Sequence, residues 1–88
     1  MQSYKLELSA RAQSILERIA QREPELYKRL AQALDDLERD PFQGKSLKGR
    51  LKGFYSYRVG SYRVIYRIYR HKLLVIVIDI GHRRGIYR

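Results

Sequence analysis

Arg58 and Arg63 flank the dipeptide Gly60-Ser61 in the run Tyr57-Arg58-Val59-Gly60-Ser61-Tyr62-Arg63-Val64. A two-residue turn with glycine first suits a type II′ hairpin. That turn fixes a register in which Val59 faces Tyr62, Arg58 faces Arg63, Tyr57 faces Val64 and Ser56 faces Ile65. Two guanidinium groups directly opposed on one sheet face, with Cβ atoms roughly 4.5–5.5 Å apart, destabilise each other unless an anion lies between them. A phosphate fits, because each guanidinium can give it two parallel hydrogen bonds. The alternative is that both arginines fan into solvent or meet the carboxylates of a partner. Farther on, His82, Arg83 and Tyr87 lie close together after the most apolar stretch. An imidazole titrating near neutrality, a fixed cation and a phenol suffice to cleave RNA without a metal. The reaction needs a base for the ribose 2′-proton, positive charge at the phosphorane-like transition state and an acid for the 5′-oxygen. A basic terminus with an incidental histidine is the plainer explanation of the same residues.

The elements that must hold these groups are legible from periodicity. Residues 3–8 alternate as a short strand. Ser9 suits the N-cap of a helix over about 10–22, with Ala12, Ile15, Leu16 and Ile19 on one stripe. Pro24 fits the first turn of a second helix, which carries Leu26, Leu30, Ala33, Leu34 and Leu37 and ends near Asp40-Pro41. So short a connection predicts an antiparallel helical hairpin. Residues 41–53 hold three glycines and four basic residues and read as a loop. The period then becomes two, and 54–59, 62–69 and 73–80 read as strands, with Arg70-His71-Lys72 turning between the last two. The expected fold is a single α+β domain over residues 1–88, in the order β-α-α-β-β-β. An antiparallel C-terminal sheet packs there against an N-terminal helical hairpin. Tyr57, Val59, Tyr62, Val64, Tyr66 and Ile68 face the helices. Ser56, Arg58, Arg63, Ile65, Arg67 and Tyr69 face away. Tyr55, Tyr69 and Tyr87 are placed to stack on unpaired bases.

Charge is unevenly distributed over the 88 residues. Residues 1–40 hold seven Lys/Arg and eight Asp/Glu, whereas residues 41–88 hold twelve Lys/Arg and one acid, Asp79. A half with a net charge of +11 within a chain of +10 points to an anionic partner rather than a well-mixed solvated surface. The expected RNA-contacting set is Lys45, Lys48, Lys52, Ser56, Arg67 and Arg84. A lone Asp79 argues against two-metal nuclease chemistry. With no cysteine, no metal-ligand spacing and no nucleotide-binding glycine motif, no cofactor is expected. The start of the chain alternates and carries no apolar run of the signal-peptide kind. The longest apolar run, Leu73 to Ile78, is far short of the ~18 residues of a membrane span. A cytoplasmic protein with no membrane partner is therefore expected.

Together, Leu47-Lys48-Gly49, the stretch from Gly53 to Tyr66 and the terminal Ile80-Gly81-His82-Arg83-Arg84-Gly85-Ile86-Tyr87 resemble the RelE branch of the RelE/ParE toxin superfamily. The resemblance implies the toxin of a type II toxin–antitoxin pair, one that enters the ribosomal A site and cuts messenger RNA by metal-free 2′-hydroxyl attack. It implies a phosphate-contacting role for Arg63 and a parallel role for Arg83. Tyr87 would stack on or orient the attacked nucleotide, and Arg58 stands where many members carry a basic residue. Ser56 departs from the pattern, since better-known members have a lysine there that assists proton transfer. His82 or Lys52 is expected to replace it. The implied partners are the ribosome, mRNA and an acidic RelB-like antitoxin, in a hetero-oligomer. Two other functions share the fold: a ParE-like inhibitor of DNA gyrase, and a catalytically inert RNA- or ribosome-binding module.

Overall fold

The computed structural model describes residues 3–82. Strand β1 (Lys5–Leu8) leads into helix α1 (Ala10–Arg22) and helix α2 (Pro24–Arg39). Strand β2 (Lys45–Ser46), the hairpin β3 (Tyr55–Val59) and β4 (Tyr62–Tyr69), and β5 (Leu74–His82) complete the chain. Short 3₁₀ turns cover Pro41–Gln43, Gly49–Leu51 and Arg70–Lys72. Ser9 caps α1, its hydroxyl accepting from the Ala12 N–H at 3.1 Å. Pro24 opens α2, where its missing N–H leaves no bond unmade.

The five strands form one sheet in the order β1-β5-β4-β3-β2. Both helices pack on one face, in an α+β arrangement. The helical hairpin and the three long strands stand where periodicity puts them. Two features go beyond that reading. β1 joins the sheet beside β5 and runs parallel to it, Leu6 against Val75 and Leu8 against Val77. The loop after α2 contains β2, whose Lys45 and Ser46 pair with Ser56 and Tyr55.

The β3–β4 register is as the turn dictates, Arg58 opposite Arg63 and Val59 opposite Tyr62. Gly60 has φ +60°, and no residue other than glycine and Leu73 has positive φ among the described residues, as a type II′ turn requires. Val59, Val64 and Tyr66 are buried against Leu30, Leu34 and Leu37 of α2 and Ile19 of α1, with Tyr57, Tyr62 and Ile68 at the rim. On β5, Val75 and Val77 enter the same core. A bulge follows: Tyr66 pairs with Val77 but Ile65 with Asp79, which leaves Ile78 as an extra residue. The bulge resets the alternation so that Ile80, not Asp79, is buried. No helix among the described residues is long and apolar enough to cross a membrane.

Candidate nucleic-acid interface

The face of the sheet turned away from the helices carries the residues with chemistry. Two rows of paired residues define it. One runs from Lys45 on β2 to Ser56 on β3, Ile65 on β4 and Asp79 on β5. The next runs from Arg58 to Arg63 to Gly81. Ser56 and Ile65 are buried at the centre, and charged groups surround them.

The two arginines are opposed in the backbone, but their side chains diverge. Arg63 reaches diagonally, Nη1 donating to the Ser56 hydroxyl at 3.3 Å. Arg58 turns toward the hairpin tip, Nε donating to the Gly60 carbonyl at 3.1 Å. Divergence lowers the repulsion between two like charges at this spacing. Ser56, at 3% exposure, can therefore orient Arg63 but cannot serve as a proton acceptor for a substrate in solvent.

Arg67, two positions beyond Ile65 on the same face, lies over two rings, 5.1 Å from the Phe54 centroid and 5.6 Å from that of Tyr69. These are cation–π distances. They make a flat shelf of one guanidinium and two aromatics, the kind of surface on which unpaired bases stack. Phe54 was not singled out by sequence reasoning, although it opens the predicted strand beside Tyr55. Tyr55 itself stacks on buried Tyr66, ring centroids 5.6 Å apart, on the helix side, so it is no base platform.

Lys45 stands across from Ser56 on this face. Lys48 and Lys52 cap the 3₁₀ turn at Gly49–Leu51 and are exposed. Gly53, next to Lys52, lies close enough that a side-chain carbon there would be 3.9 Å from the Arg67 guanidinium. His82 is elsewhere. It pairs with Tyr62 and sets its ring edge-on to that tyrosine, centroids 5.7 Å apart, on the side of the sheet that meets the helices. The structure thus does not bring His82 to the arginines. Asp79 accepts from Arg11 Nε at 3.0 Å. Arg83, Arg84 and Tyr87 lie outside the described residues.

Helices on one side of a mixed sheet, with a basic, aromatic opposite face, are the arrangement that the chain shares with small toxins of type II toxin–antitoxin systems. The chain belongs to the ParE toxin family of type II toxin–antitoxin systems, whose family model matches residues 6–87. It is 42% identical over 57 residues to Toxin RelG of Mycobacterium tuberculosis, a match covering 64% of this chain and 66% of that protein. The toxin–antitoxin complex RelBE2 of Mycobacterium tuberculosis superposes with TM-score 0.82 at 30% identity, over 94% of each chain. The archaeal RelE–RelB complex of Pyrococcus horikoshii shares the fold, with TM-score 0.78 at 22% identity over 94% of this chain and 98% of that one.

Proposed function

We propose that this toxin is a ribosome-dependent mRNA endonuclease that uses no metal. The observation that carries the reading is the divergent Arg58–Arg63 pair beside the Arg67–Phe54–Tyr69 shelf: phosphate ligands next to a base platform on one open face. Attack of a ribose 2′-oxygen on the adjacent phosphorus would give a 2′,3′-cyclic phosphate and release the 5′-oxygen as a hydroxyl. Arg63, oriented by Ser56, would hold the non-bridging oxygens as negative charge builds on them. Arg83 and Tyr87 would complete the site as the family resemblance implies. With His82 on the other side of the sheet, lysines are the candidate proton carriers at the open face. Lys45 faces Ser56 across the strand pair, and Lys52 adjoins the shelf. The proposed partner in the cell is an acidic antitoxin covering the basic half, as RelB accompanies RelE in the archaeal complex.

One observation favours a second reading. The matching family model is that of ParE toxins, and a gyrase inhibitor on this fold would act on protein rather than RNA. Primer-extension mapping of mRNA 5′ ends in a translating extract separates the two. New ends at codon positions are expected with the protein and not with Arg63→Ala or with naked RNA. No new ends and normal translation would point to gyrase, which a supercoiling assay would then test. No new ends with blocked translation would mark an inert ribosome binder.

A further inference from the structure

A second basic site lies around the hairpin edge from the open face. A cleft of about 400 Å³ separates α2 from the β3–β4 hairpin, lined among others by Lys28, Arg29, Gln32, Tyr57, Arg58 and Gly60. Two guanidinium groups converge on Gly60. Arg58 donates to its carbonyl, and Arg29 lies so close that a side-chain carbon at Gly60 would sit 3.1 Å from its terminal nitrogen. Lys28 adds a third cation, held only by an exposed pair with Glu25 at 3.7 Å. Among the described residues lining the cleft the one carboxylate, Asp36, is engaged with Gln32 at 3.0 Å and Arg39 at 2.6 Å.

We infer that this cleft binds a backbone phosphate of single-stranded RNA, continuing the strand's path from the open face past the hairpin tip. Arg58 belongs to both surfaces, so a strand leaving the Arg63 side meets Arg58 and then Arg29 without crossing a neutral gap. The wall supplied by Tyr57 is aromatic, and a ring beside guanidinium forks matches a nucleotide, which has both a phosphate and a π-face. An acidic peptide would use the cations alone. The cleft also offers donors that suit a phosphodiester, whose two non-bridging oxygens can accept from the Arg29 fork and from the Arg58 terminal nitrogens. The inference rests on RNA being the partner of the open face.

The test is equilibrium binding of a 2′-O-methyl RNA oligonucleotide, which lacks the attacking hydroxyl, measured over a range of salt. Wild type is compared with Lys28→Ala/Arg29→Ala and with Arg18→Ala/Arg22→Ala, a pair on α1 that removes the same charge elsewhere. The cleft variant should bind about tenfold more weakly, with a log–log salt slope shallower by about 0.7, the value for one single-strand phosphate. The α1 variant should keep the wild-type slope, and Arg29→Lys, which retains the charge, should restore most of it. Equal losses in both double variants would reduce the effect to general electrostatics and overturn the inference. So would an unchanged slope in the cleft variant, or one unchanged for RNA while binding of an acidic protein partner falls. Should wild type bind no free RNA, the cleft inference fails, and primer extension on translating ribosomes decides the endonuclease reading by itself. If wild type binds RNA, Arg63→Ala does not, and the cleft variant matches wild type, the cleft inference fails alone.

Discussion

The Tyr66 hydroxyl, in a fully buried side chain on β4, donates to the Pro41 carbonyl at 2.6 Å. Pro41 begins the turn after α2, so one bond fastens the helical layer to the middle of the sheet. Gly44 passes directly over this point: a side-chain carbon there would fall 2.1 Å from the tyrosine oxygen and 2.9 Å from the Ser56 carbonyl. Tyr66→Phe strands the carbonyl and should cost about 1–3 kcal/mol, read as a fall of several degrees in Tm. Gly44→Ala should cost more, because backbone as well as side chain must give way. Burial, the largest influence, raises the Tyr66 pKa above its ordinary 10.0. Above that value the unfolded chain releases the proton and the folded chain keeps it, so the folded state binds more protons and loses stability as pH rises. The contribution is whole below pH 10.0 and is lost as pH climbs through the folded pKa. Urea midpoints between about pH 9 and 11 should fall more steeply for wild type than for Tyr66→Phe.

The Ser9 hydroxyl ties the start of α1 to β5, alongside the Arg11–Asp79 pair. Ser9 Oγ accepts from the Ala12 N–H and donates to the carbonyl of Ile78, the extra residue of the bulge, at 2.8 Å. Aspartate caps helices as well as serine does but has no proton to donate. Ser9→Ala should cost about 1–2 kcal/mol, and Ser9→Asp should fail to recover it, because its carboxylate would face the Ile78 carbonyl. Thermal melts of the two variants decide this; full stability of Ser9→Asp would mean that the cap alone matters. The bulge also explains which elements sequence could show. Helix positions, the core stripe and the β3–β4 register follow from local patterns: apolar spacing, Ser9, Pro24 and the Gly60-Ser61 turn. Strict alternation from Val75 and Val77 would put Asp79 and Gly81 toward the helices and His82 on the open face with Arg63. One inserted residue reverses that parity and carries His82 to the other side. Neither the bulge nor the parallel β1–β5 pairing, about 69 residues apart in sequence, has a local signal. The two residues of β2 lie within a glycine-rich, lysine-rich stretch and are too few to alternate.

For the molecule as a whole, charge and fold agree. The near-neutral N-terminal 40 residues build most of the helical layer, and the strongly basic remainder builds the four strands from β2 to β5. Alternation then sorts that remainder, turning its apolar residues to the helices and Lys45, Arg58, Arg63 and Arg67 to the open face. The sequence reveals that this half seeks an anion, but not that Arg58 and Arg63 part company, since that depends on the acceptors Gly60 and Ser56 offer in three dimensions. If the four cations each neutralise one phosphate of a single strand, the open face alone contributes about −2.8 to the log–log salt slope, a roughly 50-fold fall in affinity between about 50 and 200 mM salt. Binding to a 2′-O-methyl RNA, followed by fluorescence anisotropy, measures it. Arg63→Ala and Arg67→Ala should each make the slope shallower by about 0.7, whereas Phe54→Leu should weaken binding and leave the slope alone, because stacking releases no counterions. A flat dependence in the wild type would mean that the open face does not hold phosphate, and the same surface would then have to be understood as a platform for an acidic protein.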